Sequence, residues 1–189
     1  MPKIFDPVSD KIIRAIELDR GNIKKIKPGQ KPPLGSLAVF KYSPKHHRTL
    51  AYFDTFPASV VIGHYSDGFL AVNLHFLPWS FRLNLAERML RATKNKNRIT
   101  YAKIKKAFQS LQLPIGYAQI ILKRYLFSHI TSKEVYIFNF TDYKNFLKDV
   151  PGKFQKKSDT TVFKLTIAKF NAHAKKSKKK PKFTNIRRK

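Results

Sequence analysis

His46, His47, Asp54, His64, Asp67 and His75 bring imidazoles and carboxylates together within thirty residues. These are the side-chain types with which a metal-dependent nuclease holds a divalent ion and activates water. Their spacing does not fit that chemistry: no two of the histidines stand one helical turn apart, and no carboxylate cluster forms. Asp67, followed by Gly68, belongs to a tight turn, and Asp54 reads as a carboxylate bonding a loop backbone. A Gly-rich phosphate loop, a nucleophile elbow and a paired-carboxylate motif are all missing. With no cysteine in the chain, disulfides, thiolate metal sites and cysteine nucleophiles drop out together, which fits a reducing compartment. The expectation is a protein that is not an enzyme and needs neither metal nor cofactor.

Phosphate contact is far better supplied. The 189 residues carry 39 Lys and Arg against 11 Asp and Glu, a formal net charge of +28. So one-signed a surface repels itself unless a polyanion supplies the missing charge. The segment 174–189 holds nine of the cations and no acid; setting it aside leaves 30 cations against 11 acids, still a surplus of 19. The body as well as the tail is therefore suited to phosphate. Candidate contacts are Arg88, Arg91, Lys94, Lys96, Arg98, Lys103 and Lys106 in the body, and Lys175, Lys176, Lys178, Lys179, Lys180, Lys182, Arg187, Arg188 and Lys189 in the tail. If these neutralise about eight phosphates, log K falls with log[salt] at a slope near roughly −7. No recognition helix, zinc-finger spacing or single-strand aromatic motif points to base readout, which favours backbone or end binding. Tyr42-Ser43-Pro44-Lys45-His46-His47-Arg48 interleaves rings with cations and has two readings, stacking on unpaired bases or ordinary core. A membrane partner is not expected: no run of 18 apolar residues occurs, and the start of the chain has acids where a signal peptide needs a basic region.

The elements that must position these groups follow from periodicity. Ser9 to Arg20 reads as a helix with Ser9 as cap and Gly21 as stop, and Asn22 to Pro33 as a Lys-, Gly- and Pro-rich linker. Strands are expected over Leu37 to Tyr42, Ala58 to Tyr65 and Phe69 to Phe76, joined in an antiparallel meander with Ser66-Asp67-Gly68 as the last turn. In the last strand Leu70, Val72, Leu74 and Phe76 form the core face, opposite Phe69, Ala71, Asn73 and His75. Asn73 and His75 are either a satisfied buried hydrogen-bond site or part of a contact surface.

Helices follow. One starts at Pro78 with Trp79, Leu83, Ala86 and Leu90 as its stripe and Arg88 and Arg91 outside. A second starts at Thr100, with Tyr101, Ile104, Phe108 and Leu111 facing inward and Lys103 and Lys106 opposite. The basic loop Lys94 to Arg98 lies between them. Tyr117 to Lys123 fits a short helix or a strand, Val135 to Phe138 a strand, and Thr141 to Lys148 a helix. Ser158 caps a last helix with the stripe Phe163, Ile167 and Phe170. The tail is too cationic to bury enough surface and is expected to be disordered when free.

Three runs carry more than pattern: Gly35-Ser36-Leu37-Ala38-Val39-Phe40-Lys41-Tyr42-Ser43-Pro44-Lys45, Leu50-Ala51-Tyr52-Phe53-Asp54-Thr55-Phe56-Pro57, and Asp67-Gly68-Phe69-Leu70-Ala71-Val72-Asn73-Leu74-His75-Phe76-Leu77-Pro78. In this order they resemble a protein family of large contractile-tailed phages, the DNA end protectors or head-completion proteins. The likeness continues more loosely through Arg124 to Ile130 and Val135 to Ile137. It implies a virion protein that sits on the packaged genome's terminus, shields it from host exonuclease, and helps close the filled head. It supplies no binding residues, and the Lys-rich end of the chain departs from the family pattern.

The resulting expectation is an α+β protein in three parts: an N-terminal helix and linker (1–33), a core domain (34–173) and a basic tail (174–189). Its sheet is small, antiparallel and barrel-like, flanked by short helices. It would bind the double-stranded DNA terminus within the virion head or neck, and meet the host cytoplasm during assembly and after injection. The alternative is a neck or capsid-vertex protein contacting portal or head proteins, its basic face merely turned toward packaged DNA; a metal-dependent nuclease comes third.

Overall fold

A computed structural model describes residues 23–93, 101–114, 116–138 and 152–178. The expected helix over Ser9 to Arg20, the basic loop Lys94 to Arg98, the helix over Thr141 to Lys148 and residues 179–189 lie outside the described residues. Eight strands lie among the described residues: β1 (Lys24–Ile26), β2 (Leu37–Val39), β3 (Phe53–Asp54), β4 (Ala58–His64), β5 (Gly68–Asn73), β6 (Leu122–Leu126), β7 (Val135–Phe138) and β8 (Phe154–Gln155). The helices are α1 (Trp79–Thr93), α2 (Tyr101–Gln109), α3 (Ala118–Ile121) and α4 (Asp159–Lys178).

The meander forms as its alternation requires. β2, β4 and β5 pair antiparallel, with Leu37 opposite Val60 and Val60 opposite Val72. They lie inside a six-stranded sheet of order β1-β7-β2-β4-β5-β6, while β3 and β8 make a separate two-stranded ribbon. Successive residues point to opposite faces. Leu37, Val39, Val60, Val72 and Phe138 pack toward Leu85 and Met89 of α1, Ile104 and Ala107 of α2, and Val162 of α4. Ala38, Phe40, Val61, Phe69, Ala71, Tyr125 and Ile137 form a second cluster on the other face.

That second face corrects the expectation of a single core side, because Phe69, Ala71, Asn73 and His75 are buried as well. Rings rather than helices fill it. Phe40 meets Tyr125 edge-on at 5.0 Å and Phe69 at 5.6 Å, an arrangement favoured by the ring quadrupoles.

The barrel does not form. β1 and β6 end the sheet at opposite edges without pairing to each other. The three-residue β1 exposes Lys24 and Lys25, and a short lysine-bearing edge resists further pairing. The register slips between Val61 and Gly63, a bulge that bends the sheet. An isolated bridge from Tyr42 to Ile130, with Ser43 N–H donating to the His129 carbonyl at 3.0 Å, then ties the segment after β6 to the segment after β2. Ile130 and Phe127 thereby join the second cluster without a closed ladder. β1 also places part of the expected linker inside the sheet, opposite β7.

The helices keep their places, and their expected stripes hold in part. In α1 Leu85 and Met89 are buried, whereas Trp79 is 38% exposed; Ala86 and Leu90 are among the side chains left undescribed. In α2 the expected Ile104 is buried, as is Leu111 just beyond the helix, with Phe108 packed against the core; Ala107 joins them, and only Tyr101 of the stripe stands out in solvent. In α4 Val162 and Thr166 face the core and Phe170 packs against it as expected, while Phe163 is 45% exposed. Ser158 caps α4 as expected, its Oγ accepting from the Thr161 N–H at 3.3 Å. The helix runs to Lys178 and takes up the first residues of the expected disordered tail. The two readings of Tyr117 to Lys123 are both realised, as α3 followed by β6.

Candidate nucleic-acid interface and the polar network beneath it

β5 ends at Asn73, and Leu74–Phe76 form a 3-10 turn instead of continuing the strand. Asn73 caps that turn, its Oδ1 accepting from the His75 N–H at 2.9 Å. His75 therefore meets Asn73 through a turn, not through strand alternation. The β3/β8 ribbon, with Asp54 opposite Phe154, carries Asp54 to the same spot. There the Asp54 carboxylate accepts from the Phe56 N–H at 3.1 Å, Asn73 Nδ2 at 2.9 Å and His75 Nδ1 at 2.6 Å. Only 4% of the Asp54 side chain and 2% of the His75 side chain is exposed.

Since a carboxylate only accepts, Nδ1 holds the imidazole proton. Asn73 Nδ2 also donates to the Tyr125 hydroxyl at 2.9 Å, and Ser59 Oγ lies 3.1 Å from that hydroxyl. Burial, and then the Asp54 charge, push the Tyr125 phenol far above its ordinary value, so it stays neutral. Asn73 and His75 are thus the buried hydrogen-bonded site of the two readings, and Asp54 bonds a backbone as expected while also linking both side chains.

The other chemistry-bearing residues stay apart. His46 and His47 are exposed, His64 Nε2 lies 2.6 Å from the Pro32 carbonyl, and Asp67 pairs with Arg124 at 2.7 Å on the surface. Arg124 holds the Asp67 carboxyl below its usual range. Among the described residues no group of three or more His, Cys, Asp or Glu comes close enough to hold a metal ion.

The candidate phosphate contacts occupy two places. Arg91 of α1 and Lys106 of α2 are exposed, and Lys103 is half-buried. Arg88 is not on the outer face: it is half-buried, and its Nη1 donates to Ser110 Oγ at 2.8 Å, bracing α1 against the end of α2. Lys175 and Lys176 project from α4 into solvent. Lys178 ends that helix, its side chain undescribed, while Lys94, Lys96, Arg98, Lys179, Lys180, Lys182, Arg187, Arg188 and Lys189 lie outside the described residues.

Lys123, Tyr52 and Lys169, which sequence reasoning missed, stand in or beside an open pocket of about 170 Å³ above the polar network. Lys123 lines it beside Tyr42, Tyr52, Phe53, Phe76 and Tyr125, with Nζ 4.8 Å from the Phe76 ring centre. Lys169 of α4 donates to the Tyr52 hydroxyl at 3.3 Å. Burial, and then the charge of Lys169, lower the Lys123 pKa. One signal existed: Lys123 stands two residues before the inward-facing Tyr125 and so shares its strand face.

Neither the curated proteins nor the solved structures yield a match to this chain. Residues 17–179 match the family described as Phage T4 terminal DNA protecting protein. The chain belongs to that phage family, as the three sequence runs suggested.

Proposed function

We propose that the chain binds the terminus of double-stranded DNA and shields it from exonuclease, as a non-enzymatic component of the phage head or neck that also assists head completion. The observation that carries this is the reach of the family match, which takes in every described element from β1 through α4. The exposed cations Lys164, Lys169, Lys175 and Lys176 therefore belong to the family's fold rather than to an appendage.

Charge supports it. Among the described acids Asp54 is enclosed, Asp67 pairs with Arg124 and Glu134 with Lys25 at 3.2 Å. Asp159 accepts from the Phe154 N–H at 3.2 Å. Glu87 lies exposed on α1; with the other described carboxylates engaged inside the molecule, the surface cations outnumber the acids that could compensate them, which suits phosphate. Arg91, Lys103 and Lys106, the basic loop Lys94 to Arg98 and the cations from Lys175 onward are the proposed contacts, with Arg88 holding their helices together. No helix among the described residues is long and apolar enough to cross a membrane.

The test is digestion of linear duplex DNA by an exonuclease, with and without the protein, over a salt series and with circular DNA as competitor. Protection that fades steeply with salt is expected. A protein that leaves free duplex ends open to digestion at every salt concentration overturns the proposal, and portal or head proteins become the partners to seek.

A further inference from the structure

The pocket above the polar network has features that a purely structural hollow does not need. Tyr42, Tyr52, Phe53, Phe76 and Tyr125 line it, while Leu50 at its rim is 39% exposed. Its floor is chemically closed, since Asp54 and Asn73 spend their bonding capacity on each other, on His75, on Tyr125 and on the Phe56 backbone. Two lysines, Lys123 in its wall and Lys169 on the hydroxyl of Tyr52, are close enough to repel one another. Among the described residues neither forms an ion pair. The charge of Asp54 reaches Lys123, but that carboxylate is already engaged by Phe56, Asn73 and His75, so the two ammonium groups at the mouth are left to attract an anion from outside.

Size narrows the occupant. At about 170 Å³ the pocket is smaller than the roughly 300–1,000 Å³ of a whole small-molecule site. It admits one flat ring and leaves the rest of its ligand outside. A flat ring among aromatic side chains, joined to an anion held by lysines at the mouth, is a nucleotide with its base inside.

We infer that this pocket receives the terminal nucleotide of a DNA strand, its base among Tyr42, Tyr52 and Phe53 and its phosphate between Lys123 and Lys169. The inference rests on the proposed end binding and makes it specific. A terminal nucleotide has one stacking neighbour instead of two, so drawing it from the duplex costs less than extruding an internal one. The pocket therefore distinguishes an end from a continuous duplex without reading sequence, whereas the cations elsewhere contact any duplex alike.

Two experiments on the full chain test this. Linear duplex carrying 5-iodouracil at the terminal position is irradiated with the protein, and the cross-linked peptide is identified. Attachment at Tyr42, Tyr52 or Phe53 is expected; attachment confined to other segments overturns the assignment. In parallel, affinities for linear and circular DNA are compared for the wild type and for a Lys123→Met, Lys169→Met double variant, which keeps the side-chain stems that pack on the rings. The variant should lose roughly tenfold of the preference for linear DNA and keep its affinity for circular DNA. A wild-type preference retained in a folded variant overturns the pocket while leaving end protection intact. A wild type that neither prefers nor protects ends overturns the proposed function itself. The cross-link needs no variant, so a misfolded variant leaves the assignment testable.

Discussion

Two regions of this molecule handle charge in opposite ways. Around Asp54 one almost fully buried carboxylate collects donors from Phe56, Asn73 and His75. Along α4, Lys164, Lys169, Lys175 and Lys176 stand exposed, and the only acid of the helix, Asp159, sits in its first turn. The contrast shows what a chain with 39 cations and 11 acids does with its few carboxylates. Several of those described hold backbone and side chains in place, so the cationic surface goes uncompensated. Most buried polar atoms find a hydrogen-bond partner, here all but the His75 Nε2 of the network, whereas an exposed lysine requires nothing of its neighbours.

Substitutions in the two regions should separate accordingly, and the largest effect belongs to the network. Asp54→Ala leaves His75, Asn73 and the Phe56 N–H without their acceptor, and should cost about 3–5 kcal/mol of stability by denaturant unfolding. A loss below that of an ordinary surface substitution would show that the network does not hold the fold. Gly68→Ala comes next, since a Cβ there would lie 2.0 Å from the Tyr125 carbonyl oxygen. The β5/β6 pairing must shift, at about 1–3 kcal/mol read from the thermal midpoint.

On the cationic side, Lys175→Ala with Lys176→Ala should leave stability within about 0.5 kcal/mol. The salt dependence of DNA binding should become shallower by about 0.9 for each phosphate that is no longer neutralised. A variant that binds with an unchanged slope would remove those two lysines from the interface. The smallest expected effect is on pH. The Lys123 pKa is lowered by burial and by Lys169, and a bound phosphate favours its charged form. Affinity for duplex ends should therefore decline as pH rises toward the ordinary lysine range, and Lys123→Arg, which keeps its charge, should flatten that decline. An identical profile in both proteins would separate Lys123 from end binding.

Much of the fold is legible in the sequence because the meander follows simple alternation. Asp67-Gly68 reads as a turn, and a turn it is. The close approach of β6, which makes glycine necessary there, depends on a strand some sixty residues away, and local pattern does not carry that. The polar network is half legible: Asn73 and His75 stand out as polar residues in an apolar run, but the turn between them interrupts the alternation and the ribbon that delivers Asp54 depends on Phe154 and Gln155, a hundred residues on. The helix stripes hold at Ile104, Leu111 and Phe170 and fail at Trp79, Tyr101 and Phe163, where a large side chain is not the anchor. In α4 the smaller Val162 and Thr166 lie against the core, and Phe163 faces outward. The barrel fails because closure depends on how the edge strands end, and β1 lies hidden in a segment that reads as linker. The pocket lysines escape a sequence reading because Lys123 belongs to a stretch whose helix and strand readings are both realised.

The claim at the centre is that the folded body itself guards the DNA end, with the residues beyond α4 adding affinity only. It is tested most directly by exonuclease digestion of linear duplex in the presence of a chain ending at Lys178, compared with the full chain from low to moderate salt. The shortened protein should still protect the ends at low salt and lose protection at a lower salt concentration than the full chain. Ends left fully open by the shortened protein at every salt concentration, while the full chain protects them, would contradict it.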